Sequence, residues 1–181
     1  MILDAFLLFT GGSSSPGNSD GATDSPTTGT EVSSNVLDLG VVLGIPSYAN
    51  GGGARDIGVG DPMLKVLVQV TTAFVDGTNI GVNFQGAADD GTGIPGSYTT
   101  MVTGPVVVEA NLIVGAYLLN IDVPRPVPAQ ALPRFLRLQY VTSGTHTAGK
   151  LEGTIVVNRF DQVVGTSGNL SGYPAGLNVA N

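Results

Sequence analysis

Residues Gly144-Thr145-His146-Thr147-Ala148-Gly149-Lys150 match the first seven positions of a phosphate-binding loop. That chemistry needs glycine-rich backbone N–H groups around the phosphates, a lysine reaching them, and a following Ser or Thr hydroxyl for magnesium. The eighth position is Leu151, and Leu151 to Asn158 reads as a strand where a helix N-terminus should face the anion. The residues favour a glycine-rich hairpin loop between two strands, with no nucleotide cofactor.

His146 is the sole histidine of the chain. Metal ligation would need carboxylates as its companions, and none lies close to it in sequence. General-base work would need a nucleophile and an orienting acid, and nothing selects one among the many Ser and Thr residues. A solvated loop histidine is expected. Asp89-Asp90-Gly91 offers oxygen ligands for calcium but lacks the alternating acids and terminal Glu of a calcium-binding loop, so it reads as a turn. Glu109 and Asp122 have the residue types of a glycosidase pair, yet both fall on expected strands with nothing to set them across a cleft. The absence of cysteine removes disulfides, thiolate metal sites and thiol catalysis. The expectation is therefore a protein that is not an enzyme, with no catalytic residue, metal site or cofactor.

The elements that would position these residues follow from composition. Gly 27 and Pro 11 in 181 residues leave little uninterrupted length for helices, and only 12% of the residues are charged. Strand follows strand. Val32–Leu43 opens the series. Met63–Val75 alternates Leu64, Val66, Val68 and Val70 with Lys65, Leu67, Gln69 and Thr71. Asp76-Gly77 then signals a hairpin, with Ile80–Gln85 returning. Tyr98–Val102, Val106–Glu109, Ala116–Val123, Phe135–Val141 and Leu151–Phe160 complete the set, a proline-rich linker preceding Phe135. About eight strands in one domain predict an all-β fold, a jelly-roll-like β-sandwich with an extended N-terminal arm.

The formal net charge is -7, and the seven basic residues form no stripe, which argues against nucleic acid. No apolar run approaches the roughly 20 residues that span a bilayer, so no membrane partner is expected. Residues 1–10 form an apolar arm. Residues 11–30 form a flexible Ser/Gly/Pro-rich loop, 31–164 the sandwich body, and 165–181 a C-terminal tail. Ile2, Leu3, Phe6, Leu7, Leu8 and Phe9 of the arm need a buried home. They are either a first strand of their own domain or a staple docked on a neighbouring subunit.

Several segments occur in an order that resembles the Bordetella-phage-type capsid cement proteins of tailed bacteriophages. They are Met1-Ile-Leu-Asp-Ala5, Asn35–Gly40, Ala54–Gly60, Leu132–Tyr140, Gly153–Asn158 and Tyr173–Val179. The tract 11–30 and the stretch Val41–Gly53 look like insertions relative to shorter members. The resemblance implies a jelly-roll-like protein on the outer surface of the virion's capsid, made in the bacterial host cytoplasm. Its implied partners are the major capsid protein and itself, as a homo-oligomer. A dimer is preferred for two-fold positions, a trimer being the rival. The alternative reading is a carbohydrate- or receptor-binding β-sandwich on a virion surface.

Overall fold

The structure, a computed structural model, describes residues 7–11, 23–40, 64–124 and 133–157. Among them are eight strands: β1 (Gly29–Val32), β2 (Leu37–Asp38), β3 (Leu64–Asp76), β4 (Asn79–Ala87), β5 (Thr99–Val108), β6 (Tyr117–Asp122), β7 (Phe135–Ser143) and β8 (His146–Val157). One 3-10 turn, Glu109–Asn111, follows β5. The strands form two antiparallel sheets. One runs β1-β7-β4-β5, with β2 also on β7, and the other β6-β3-β8. The all-β sandwich expected from the sequence is what the chain forms. Val41–Leu43, the proline linker at 125–132, Asn158–Phe160 and the tail 165–181 lie outside the described residues.

The strongest strand signal holds. Val66, Val68 and Val70 of β3 are buried, and their intervening neighbours are only partly so. The Asp76-Gly77 signal also marks a real reversal, with φ of 63° and 72° at the two residues. The strands it joins do not pair as a hairpin, however. β3 pairs β6 and β8, whereas β4 pairs β5 and β7. The reversal is thus a corner that carries the chain from one sheet to the other. β5 to β6 and β7 to β8 cross in the same way, so three arches stand side by side and share one core. Turn chemistry specifies that the chain reverses; the apolar faces, both needing cover, decide where the next strand goes.

Two further boundaries differ from expectation. Tyr98–Val102 and Val106–Glu109 belong largely to one strand, β5, which continues through Gly104-Pro105. Proline is tolerated there because β5 ends its sheet and needs no donor on its outer side. β8 begins at His146, and only Gly144 (φ 76°) turns the corner before it.

The N-terminal segment belongs to the body. Leu8 bridges Thr154 and Asp24 bridges Leu151, so residues on both sides of the 12–22 tract lie along β8. Phe9 N–H donates to the Gly153 carbonyl at 2.8 Å, and Asn35 N–H to the Phe9 carbonyl at 2.9 Å. The body therefore reaches back to Thr23, ahead of the boundary expected at residue 31. The core gathers Phe9, Val66, Val68, Phe84, Leu118, Leu138, Tyr140 and Ile155, among others.

Candidate functional site

The glycine-rich motif is not a cradle. From His146 to Lys150 it pairs with β3, with Asp76 opposite His146 and Thr72 opposite Lys150. His146 N–H donates to the Thr27 carbonyl at 2.9 Å. The expected solvated histidine is a correction: His146 is only 2% exposed. Its ring meets Phe74 edge-on at 5.2 Å and lies directly over Gly77. Nε2 stands 3.5 Å from the Asn79 carbonyl, and Nδ1 is buried without a hydrogen-bond partner. Burial follows from tertiary packing, since Phe74 and the backbone at Gly77 close over the ring.

The Asp89 loop is a turn with its oxygens committed. Asp89 Oδ1 accepts the N–H groups of Gly91 and Gly93, each at 2.9 Å, and Oδ2 accepts Nη1 of Arg134. These N–H donors, with Arg134 behind them, hold the carboxyl below its usual range. Arg134 also grips Asp38 through Nε at 2.8 Å and Nη2 at 2.9 Å, which lowers the Asp38 pKa as well. One guanidinium thus ties β2, the 89–93 loop and the start of β7 together.

Glu109 and Asp122 are not brought together. Glu109 N–H bonds the Thr78 carbonyl at the β3–β4 corner, whereas Asp122 pairs with Lys65 at the other end of β3, 2.9 Å away. The length of β3 between those ends is roughly 30 Å or more. Among the described residues no group of three His, Asp or Glu side chains is placed to hold a metal.

Asp24 is the most enclosed acid described, and sequence reasoning missed it. Its Oδ1 accepts Ser34 Oγ at 2.5 Å and Gly11 N–H at 3.3 Å. Its Oδ2 accepts Ser34 N–H and the Tyr140 hydroxyl, each at 3.0 Å. The enclosed Tyr140 phenol is pushed well up by burial and by the Asp24 charge. The carboxylate is saturated by donors that join the N-terminal segment, the 33–34 turn and β7, so its work is to hold these elements together.

Of the six arm residues, Leu7, Leu8 and Phe9 are described, and Ile2, Leu3 and Phe6 lie outside the described residues. Phe9 is fully buried, edge-on to Phe84 at 5.9 Å. Leu8 is buried, and Leu7 packs on the core. These three follow the first-strand alternative and pack inside their own domain.

Exposed apolar surface gathers elsewhere. Val106, Val108, Ile113, Val114 and Tyr117 are all more than half exposed, within one twelve-residue segment that ends β5, makes the 3-10 turn and starts β6. Buried Leu112 anchors it, its carbonyl accepting Phe74 N–H at 3.0 Å. Glu109 is the segment's sole charge and makes no ion pair among the described residues. A period-two pattern does not distinguish such valines from core valines, so the sequence offered only the scarcity of charge as a signal.

Two antiparallel sheets packed on one core, with Asp24 saturated by donors inside and exposed apolar residues along the β5–β6 arch, define an all-β sandwich domain. The chain belongs to the Bbp16 family, whose model matches residues 22–155, the span of the sandwich. No curated protein matches it.

Proposed function

We propose that this protein is a bacteriophage decoration protein that binds the outer surface of the assembled capsid and braces neighbouring major capsid subunits. Membership of the Bbp16 family across the sandwich carries this reading, because the family name points to a Bordetella phage protein. The ordered motifs that resemble capsid cement proteins support it. So does a body whose buried acid, Asp24, is saturated by structural hydrogen bonds and whose histidine is packed against Phe74.

The mechanism is linkage. A ligand that binds only the assembled shell stabilises that shell by mass action. Repetition over a symmetric lattice adds avidity, since each copy joins subunits already held close. No bond is made or broken. The chain acts as a homo-oligomer, a dimer at two-fold positions being preferred.

The test is shell rupture. Capsids stripped of this protein should break at lower temperature and lower ionic stress than decorated ones, and adding it back should restore them. Equal robustness of stripped and decorated shells would remove the bracing role.

A further inference from the structure

Leu7, Leu8 and Phe9 of the candidate staple pack in their own domain, so these three are not available for attachment. We propose that the ridge of Val106, Val108, Glu109, Ile113, Val114 and Tyr117 is an attachment surface, and that its occupant is an apolar patch on a different protein carrying a Lys or Arg opposite Glu109. The inference rests on the decoration reading, in which this occupant is the outer face of the shell.

Three observations carry it. First, the exposure is concentrated. Val106 and Val114 are 65% exposed and Ile113 is 61%, within a segment otherwise nailed down by Leu112 and by backbone bonds from Glu109 to Thr78 and Gly115 to Val70. An exposed apolar segment held in place by its own backbone is the kind of surface that marks interaction sites. Second, the charge is incomplete. Glu109 is the segment's one charge, with no cation paired to it among the described residues, and a basic side chain on the occupant would complete it. A second copy would bring another Glu109 into a two-fold contact, on a chain already at net charge -7. Third, the edge beside the ridge is blunted. Pro105 lacks a donor, and the β4–β5 register shifts between Gly81 and Asn83 and between Phe84 and Gln85. Such devices oppose addition of a further strand, so docking proceeds through side chains.

The experiment is co-sedimentation of the full-length protein with empty shells of the phage that encodes it, with melting temperature and sedimentation velocity measured on the free protein. Ile113→Asp, Val114→Asp and Glu109→Lys should each weaken shell binding by about tenfold or more. Each should leave melting and oligomeric state unchanged, and Ile94→Asp, an exposed apolar site on a different loop, should bind as wild type. Undiminished binding by the ridge variants overturns the ridge while leaving the decoration reading intact. Loss of self-association with shell binding retained makes the occupant a second copy and also overturns it. Failure of the wild type itself to sediment with shells overturns the decoration reading, and the ridge assignment with it.

Discussion

The ring of Phe9 stands edge-on to that of Phe84, 5.9 Å between centroids, so the N-terminal segment completes the core of the domain it precedes. Phe9→Ala should therefore cost about 3–5 kcal/mol of folding stability, read from urea denaturation. Removal of residues 1–10 should destabilise the body itself. A truncated protein that melts like the full chain would show the core to be complete without Phe9.

Gly77 and His146 form a second close pair. A Cβ at residue 77 would lie 2.5 Å from Cε1 of the imidazole, and φ there is 72°. Gly77→Ala should cost about 2 kcal/mol or more. Combining it with His146→Ala should cost less than the sum of the single losses, because the clash disappears and only the backbone strain remains. Strict additivity in the double-mutant cycle would deny the contact.

Tyr140→Phe removes the hydroxyl that Asp24 accepts at 3.0 Å. A bond from a buried donor to a charged acceptor is worth about 1.5–3 kcal/mol, and the variant should lose that much in chemical denaturation. The alkaline limb should also change. The folded phenol is raised, so in wild type this group's contribution is intact below its unfolded value near 10 and is lost as pH rises above it. The variant should show a shallower decline there.

Arg134 supplies an acid-side counterpart. Asp38 is lowered first by the Arg134 hydrogen bond, and Asp89 first by the Gly93 N–H, then Gly91, with Arg134 contributing. Depressed carboxylates contribute stability that is present above their unfolded value near 4 and lost as pH falls through the folded one. Arg134→Gln should melt earlier at neutral pH, with the gap closing below about pH 4 and shrinking in high salt. A gap that ignores pH and salt would assign the effect to packing of the guanidinium on Phe135, 4.8 Å from its ring centre.

Legibility tracked locality. The alternation of Val66, Val68 and Val70 was readable because one face of β3 is buried and the other is not. The reversal at Asp76-Gly77 was readable because backbone conformation is a property of those residues alone. The partner of β3 was not, since pairing with β6 and β8 is decided by sheets assembled from distant segments. His146 read as a solvated loop residue because its burial depends on Phe74 and Gly77, about seventy residues away. The exposure of Val106 and Val108 in β5 was not readable for the same reason. Asp24 looked like one more polar residue in a Ser/Gly tract until Tyr140 and Ser34 closed around it.

The N-terminal segment lies along β8, and β7 carries only the four-residue β1 and two-residue β2 on its outer side. On the opposite flank the described chain leaves β5 and β6 at the ends of their sheets. The two flanks thus differ in cover: the N-terminal segment lies along β8, and β5 is guarded by Pro105 and its register shifts. In the decoration reading, docking through side chains there presents no fresh unpaired strand to the next molecule, so copies in excess of their binding sites would not add edge to edge into fibres.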